Sequence, residues 1–347
     1  MVVGLQQVYA QETTLKDDLS TLPNELLEKI FNQLDSKEKL ELAKTNKILR
    51  SFVDAKRVEK TEFQFIGIPL KTINETLQFY KGEQLKKLVI QGTDLSTFNI
   101  NFLKSCPKLQ EIKLVDTNLN TQQLNTFFTM LPTFKNLQIL DITDNVLSTI
   151  STELLNKLPE TLEYLNLSGC RLEAEPLITL FKKLTTFKNL KRLDLSYNYL
   201  SAIPEDLFKN LPETLQDLNL LDCYLRTGQL TILFEKLATF KNLKKLNLSQ
   251  DVLSTISTEL LNKLPETLEY LNLSLCELTT EQLTTVFDRV SNFKDLKELA
   301  LSGNDLSELP KELFQKLPKS LKSLVIRYCY LTKEQLNEIK LIMPILI

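Results

Sequence analysis

Apolar residues fall in one frame over most of the chain. The pattern Leu-x-x-Leu-x-Leu-x-x-(Asn/Cys)-x-Leu starts at Leu85, Leu109, Leu137, Leu162, Leu190, Leu215, Leu243, Leu268, Leu296 and Leu321, in steps of 24, 28, 25, 28, 25, 28, 25, 28 and 25 residues. Within a unit, residues such as Leu162, Leu165 and Leu167 are spaced so that the last two share one face of a short strand. One such unit cannot bury its apolar side alone, so neighbours must stack and share a continuous core. The longer units then carry a helical period, as in TEQLTTVFDRV over 280–290. The shorter ones have room only for a helical turn, closed by Pro159, Pro212, Pro265 or Pro318, each 53 residues from the next. Phe63 and Phe65 occupy the strand positions of a weaker unit ahead of the first and are expected to cap the array.

The ninth position alternates through Asn145, Cys170, Asn198, Cys223, Asp251, Cys276, Asn304 and Cys329. It is expected to point inward and satisfy backbone groups where the chain leaves the strand. Cysteines one dyad apart lie about 10 Å from each other, beyond the roughly 7 Å that a disulfide spans. Buried free thiols fit a reducing compartment, hence the cytoplasm. Val146–Ser168 repeats without change as Val252–Ser274, 106 residues on. Such a copy points to recent duplication and suits an extended recognition surface better than an enzyme.

The N-terminal pattern differs. Pro23 suits the start of a helix, and Leu26, Leu27, Ile30, Phe31 and Leu34 follow on one apolar face. Asp35 with Glu38 resembles a capping box opening a second helix that carries Leu40, Leu42 and Ala43. A third has Ile48, Leu49, Phe52 and Val53. The domain reading is 1–18 disordered, 19–57 a three-helix module, 58–84 a linker and solenoid cap, and 85–347 ten repeats. The fold class is α/β, a curved solenoid with a small all-α module before it.

Composition removes most chemistry. The chain has 347 residues, no His, no Trp and 7 Gly, and about a fifth of it is Leu. Without His there is no imidazole acid or base, no Ser-His-Asp triad and no HExxH zinc site. No Gly-rich phosphate loop exists. The 42 basic and 44 acidic residues nearly balance, unlike the basic excess of nucleic-acid proteins. No segment reads as a signal peptide, and the apolar run after Leu341 is too short to span a membrane. No cofactor or metal is expected, and no enzyme.

The repeats carry the leucine-rich-repeat signature, and their Asn/Cys alternation is similar to the ribonuclease-inhibitor class. The stretch Leu-Pro-x-Glu-Leu-Leu-x-x-Ile-Phe-x-x-Leu-Asp from Leu22 resembles the F-box. Leu49 stands near the place where that family often has Trp. The resemblance implies docking on the Skp linker subunit of a cullin–RING ubiquitin ligase through Leu22, Pro23, Leu26, Ile30, Phe31 and Leu34. The order of the two parts resembles F-box/leucine-rich-repeat adaptors, which select targets and do no chemistry. Lys/Asn/Ile/Leu-rich usage with near-identical repeats resembles F-box effectors of intracellular bacteria such as Legionella, which act in the host cytosol. The alternative is a stand-alone binding scaffold or inhibitor with a helical cap.

A target protein is expected on the concave strand face and its rim. Asp141, Tyr164, Arg192, Asp194, Asn219 and Tyr270 point outward on the strands, Tyr197 and Asp222 at strand ends, and Tyr199 and Tyr224 on the adjoining rim. Tyrosine combines a broad apolar body with a polar tip. The five aspartates Asp141, Asp144, Asp194, Asp217 and Asp222 suggest a basic partner.

Overall fold

The computed structural model describes residues 23–35, 38–39, 42–43, 47–59, 61–80 and 82–342. Residues 1–18, Leu22 and Leu40, for which the sequence carried expectations, lie outside that set. Eleven strands form one parallel sheet in chain order. They are β1 (Glu62–Ile66), β2 (Lys87–Gln91), β3 (Glu111–Val115), β4 (Ile139–Asp141), β5 (Tyr164–Asn166) and β6 (Arg192–Asp194), then β7 (Asp217–Asn219), β8 (Lys245–Asn247), β9 (Tyr270–Asn272), β10 (Glu298–Ala300) and β11 (Ser323–Val325). The register sets leucine against leucine, with Leu165 opposite Leu193 and Leu218 opposite Leu246. The weak first unit joins as an eleventh strand, Phe63 opposite Leu88 and Phe65 opposite Ile90.

Long and short returns alternate on the convex side. Helices Thr121–Met130, Ala174–Leu184, Thr227–Leu237 and Thr280–Val290 alternate with short turns such as Thr152–Lys157 and Glu205–Asn210. A helix is about 10 Å wide and strands repeat about every 4.8 Å. Short turns between helices relieve that mismatch, and the remainder curves the solenoid. Phe181 packs on Phe208 at 5.1 Å and Phe287 on Phe314 at 4.9 Å, joining each helix to the next turn. Ion pairs keep the dyad period: Lys183–Glu160, Lys236–Glu213 and Arg289–Glu266.

The ninth position is buried and bonded as its chemistry requires. Asn198 Nδ2 donates to the carbonyls of Leu167 and Leu195 at 2.8 and 3.0 Å, and its Oδ1 accepts from the Leu172 amide. Asn145 and Asn304 do the same in their own units. Cys170, Cys223, Cys276 and Cys329 are free thiols whose Sγ atoms donate to Ile142, Leu195, Leu248 and Leu301 carbonyls at 3.2 to 3.4 Å. A second buried amide was not expected. Gln123, Gln229 and Gln282 each reach two carbonyls of the preceding unit, Gln282 those of Leu253 and Ile256 at 2.9 Å.

Ahead of the sheet stand helices Asn24–Gln33 and Lys47–Glu59. Pro23 is the residue just before the first helix rather than its first residue. The Asp35–Glu38 capping box forms, with both backbone amides bonded at 3.0 and 2.7 Å. Leu27, Phe31, Leu42, Leu49 and Val53 make a small core that also takes in Phe79 from the helix Leu70–Phe79 of the first unit. Phe31 lies 6.1 Å from Phe79, Phe79 4.8 Å from Tyr80, and Tyr80 5.0 Å from Phe63 of β1. A chain of rings thus ties the helical module to the sheet.

Candidate functional site

The helical module presents one apolar edge. Leu26 is 39% exposed, Ile30 and Leu34 are half-buried, and Pro23 is exposed. Leu26 and Leu27 are adjacent, so the helix turns them apart: Leu27 enters the core and Leu26 faces out. Phe31 lies under this edge. It is 4% exposed and packs on Phe52 at 5.7 Å, so it supports the edge from beneath. Leu22 is among the residues not described.

The strand face is more occupied with its own turns than the sequence suggested. Asp141 Oδ1 accepts from the Thr143 amide and hydroxyl, Asn166 from the Ser168 amide, and Asn219 from the Leu221 amide. Asp194 spends both oxygens, one on Ser196 and one on Asn219 Nδ2 at 2.8 Å. These side chains close the turn that ends each strand. Asp141 is 7% exposed, with little surface left for a target. Asp194 and Asn219 hold the surface's shape first. Tyr164 and Tyr270 are half-buried. Burial, with the Asp141 charge beside it, pushes the Tyr164 phenol up to about 12. Arg192 is exposed and pairs in register with Asp217, which faces Lys245 on its other side. Burial raises the Asp217 carboxyl, while Lys245 and Arg192 pull it down.

The rim carries the open part of the site. Each strand ends earlier than expected, and the eighth position of the unit is left-handed: Tyr197 at φ 57°, Asp222 at 54°, Gln250 at 66° and Tyr328 at 56°. Gly92, Gly169 and Gly303 fill that position elsewhere. At Gly169 a Cβ would run into the Asp144 carboxylate. In the Cys-type units the tenth position is left-handed too, as at Arg171 and Tyr224. The cysteine therefore lies between two left-handed residues, as Cys223 does between Asp222 and Tyr224. Tyr197, Tyr199 and Tyr224 are 51%, 59% and 53% exposed. Tyr199 stacks on Tyr224 with centroids 4.8 Å apart and planes 29° from parallel. Together with Asp222 they line a hollow of about 530 Å³, which Arg171 and Glu173 also line. The structure thus gathers Tyr197, Tyr199, Asp222 and Tyr224. Arg171 and Glu173 escaped the sequence reading because only tyrosines were read from the adjoining rim.

Comparison with known proteins bears on both parts. Residues 19–61 match the F-box domain. Leucine Rich Repeat models match residues 161–184, 189–211 and 295–317, and a second one matches 265–281. Protein PAC2 of Saccharomyces cerevisiae is 26% identical over 270 residues, 76% of this chain and 47% of that protein. Human Toll-like receptor 8 is 38% identical over 106 residues, 29% of this chain and 10% of the receptor. The transforming growth factor beta activator LRRC33 of Danio rerio is 29% identical over 211 residues, 55% and 27% of the two chains. The chain spans less than half the length of each of these relatives. A leucine-rich-repeat protein of Leptospira interrogans superposes with a TM-score of 0.50 at 22% identity, covering 86% of this chain and 79% of its own, a likeness of fold alone. Among the described residues no helix is long and apolar enough to cross a membrane. The chain thus carries a segment matching the F-box domain, followed by leucine-rich repeats.

Proposed function

We propose that this chain is a non-catalytic substrate-recognition adaptor of a Skp–cullin–F-box ubiquitin ligase. The helical module docks on the Skp subunit, and the strand face and rim hold a target protein. The observation that carries this reading is Leu26, exposed on the first helix of a segment matching the F-box while Leu27 and Phe31 beneath it are spent on the core. The adaptor acts by holding its target near a ubiquitin-loaded enzyme, which raises the effective concentration there. The ring chain from Phe31 to Phe63 suits this, because it fixes the module's placement on the repeats. Affinity purification of the full chain from eukaryotic cells tests it: wild type brings down Skp and cullin, and Leu26→Asp loses both while keeping its target. Equal recovery with the two proteins contradicts the assignment.

A second reading, a stand-alone scaffold with a helical cap, is favoured by Phe79. That ring is 0% exposed and belongs to the module's core. On this reading no Skp subunit is recovered even with wild type.

A further inference from the structure

We propose that the hollow at the rim is a recognition site for a basic side chain of the target, arginine foremost, seated on the Tyr199–Tyr224 pair with its charge toward Asp222. This rests on the reading of this face as the target-binding one, and it names the chemistry the target must supply.

Three observations converge. First, the aromatic surface is open: Tyr197, Tyr199 and Tyr224 are each more than half exposed, and two of them are stacked. A tyrosine face attracts a cation through its quadrupole, and a planar guanidinium lies flat on it while forking to a carboxylate. Second, the charge is unbalanced in one direction. Arg171 and Glu173 both line the hollow and offset each other, which leaves Asp222 as its net charge. Asp222 acts first among the groups that raise the Tyr224 phenol's pKa, so its charge is felt at the ring. Third, the side chains are held there against backbone preference. Tyr197, Asp222 and Tyr224 have φ of 57°, 54° and 56°, a region that disfavours every residue with a Cβ and suits glycine. Glycine fills the frame of Tyr197 and Asp222 at Gly92, Gly169 and Gly303, and arginine or glutamate fills that of Tyr224 at Arg171 and Glu277, so the turn itself does not call for tyrosine.

The chain has nine tyrosines, so 3-fluorotyrosine labelling of the full chain gives a resolvable ¹⁹F spectrum. Tyr199 and Tyr224 are assigned by their Phe variants. The probes are three peptides, acetyl-Gly-Ser-X-Ser-Gly-amide, with X arginine, citrulline or glutamate. Citrulline keeps the shape of arginine and removes its charge. The arginine peptide should shift the Tyr199 and Tyr224 signals with saturation, and citrulline should bind at least about tenfold more weakly. Asp222→Asn should weaken the arginine peptide about tenfold, and Tyr224→Leu should abolish the effect. Unshifted signals from Tyr80, Tyr164 and Tyr270, outside the hollow, show that both variants are folded. No shift up to about 20 mM arginine peptide, equal binding of arginine and citrulline, or preference for glutamate overturns the proposal. Skp binding measured on the same samples separates the two ideas, because it depends only on the helical module.

Discussion

One carboxylate oxygen of Asp251 accepts the Leu225 amide at 2.7 Å, and its other oxygen, fully enclosed, has no partner. In the equivalent place Asn198 puts an NH₂ group against the carbonyls of residues 31 and 3 positions earlier. For Asp251 those frame positions are Leu220 and Leu248. An ionised carboxylate brings negative charge toward oxygens that call for a donor, so the acid must hold its proton or leave a charge unpaired. Burial pushes its pKa up to about 7, and the Asp222 charge adds to this.

The sign of the pH dependence follows. Unfolded, Asp251 titrates near an ordinary carboxyl value of about 4. Between about pH 4 and pH 7 the folded form holds a proton that the unfolded form has lost, so this residue's contribution to stability falls as pH rises through that window. It is fully present below it and flat above. Asp251→Asn restores the amide of the other units. It should raise the thermal midpoint at pH 8, by the equivalent of about 2–4 kcal/mol, and change it far less at pH 4. A variant gain independent of pH contradicts the neutral-acid reading. Asn145 is the internal control, since the residues after it, Val146–Ser168, are the same as those after Asp251.

The cysteine ladder should be inert. Burial raises the thiol pKa at Cys170, Cys223, Cys276 and Cys329, and to about 11 at Cys106. Thiolate is therefore scarce and inaccessible. A thiol reagent should label the native protein slowly and the denatured protein at once. Cys276→Ala should cost about 1–3 kcal/mol, from a lost contact and from a Leu248 carbonyl left without its Sγ donor. Rapid native labelling of the four ladder thiols contradicts the assignment.

Phe79 should couple the two parts of the chain. Its ring belongs to the module's core yet stands on the first repeat helix. Phe79→Ala should cost about 3–5 kcal/mol, felt mainly in the helices. Amide exchange should speed up in 24–33 and 47–59 while the central strands stay protected. Unchanged exchange in the helices shows that the ring chain does not carry the coupling.

Much of this was legible in the sequence, because a leucine fixed at positions one, four and six leaves the chain few ways to stack. The ninth position was readable for the same reason, as Asn198 and Cys223 show. The roles of Asp141 and Asp194 were not. An outward position on a strand reads as surface, and nothing in its spacing tells that the carboxylate will bend back to the amide two residues on. Gln229 and Gln282 had a signal, a glutamine repeating at 53 residues, but exposed glutamine is so ordinary on a helix that burial was not suspected. The left-handed backbone of Tyr197, φ 57°, was not legible because it is uncommon for tyrosine. The burial of Phe31 was not legible either, since a helix face gives no measure of what covers it.

The adaptor reading stands or falls on one physical contact. Purified full-length chain and Skp subunit, mixed at about 30 µM, should co-elute on gel filtration as a one-to-one complex. Leu26→Asp should elute separately from Skp with an unchanged thermal transition. Wild-type protein that elutes apart from the Skp subunit under these conditions contradicts the account.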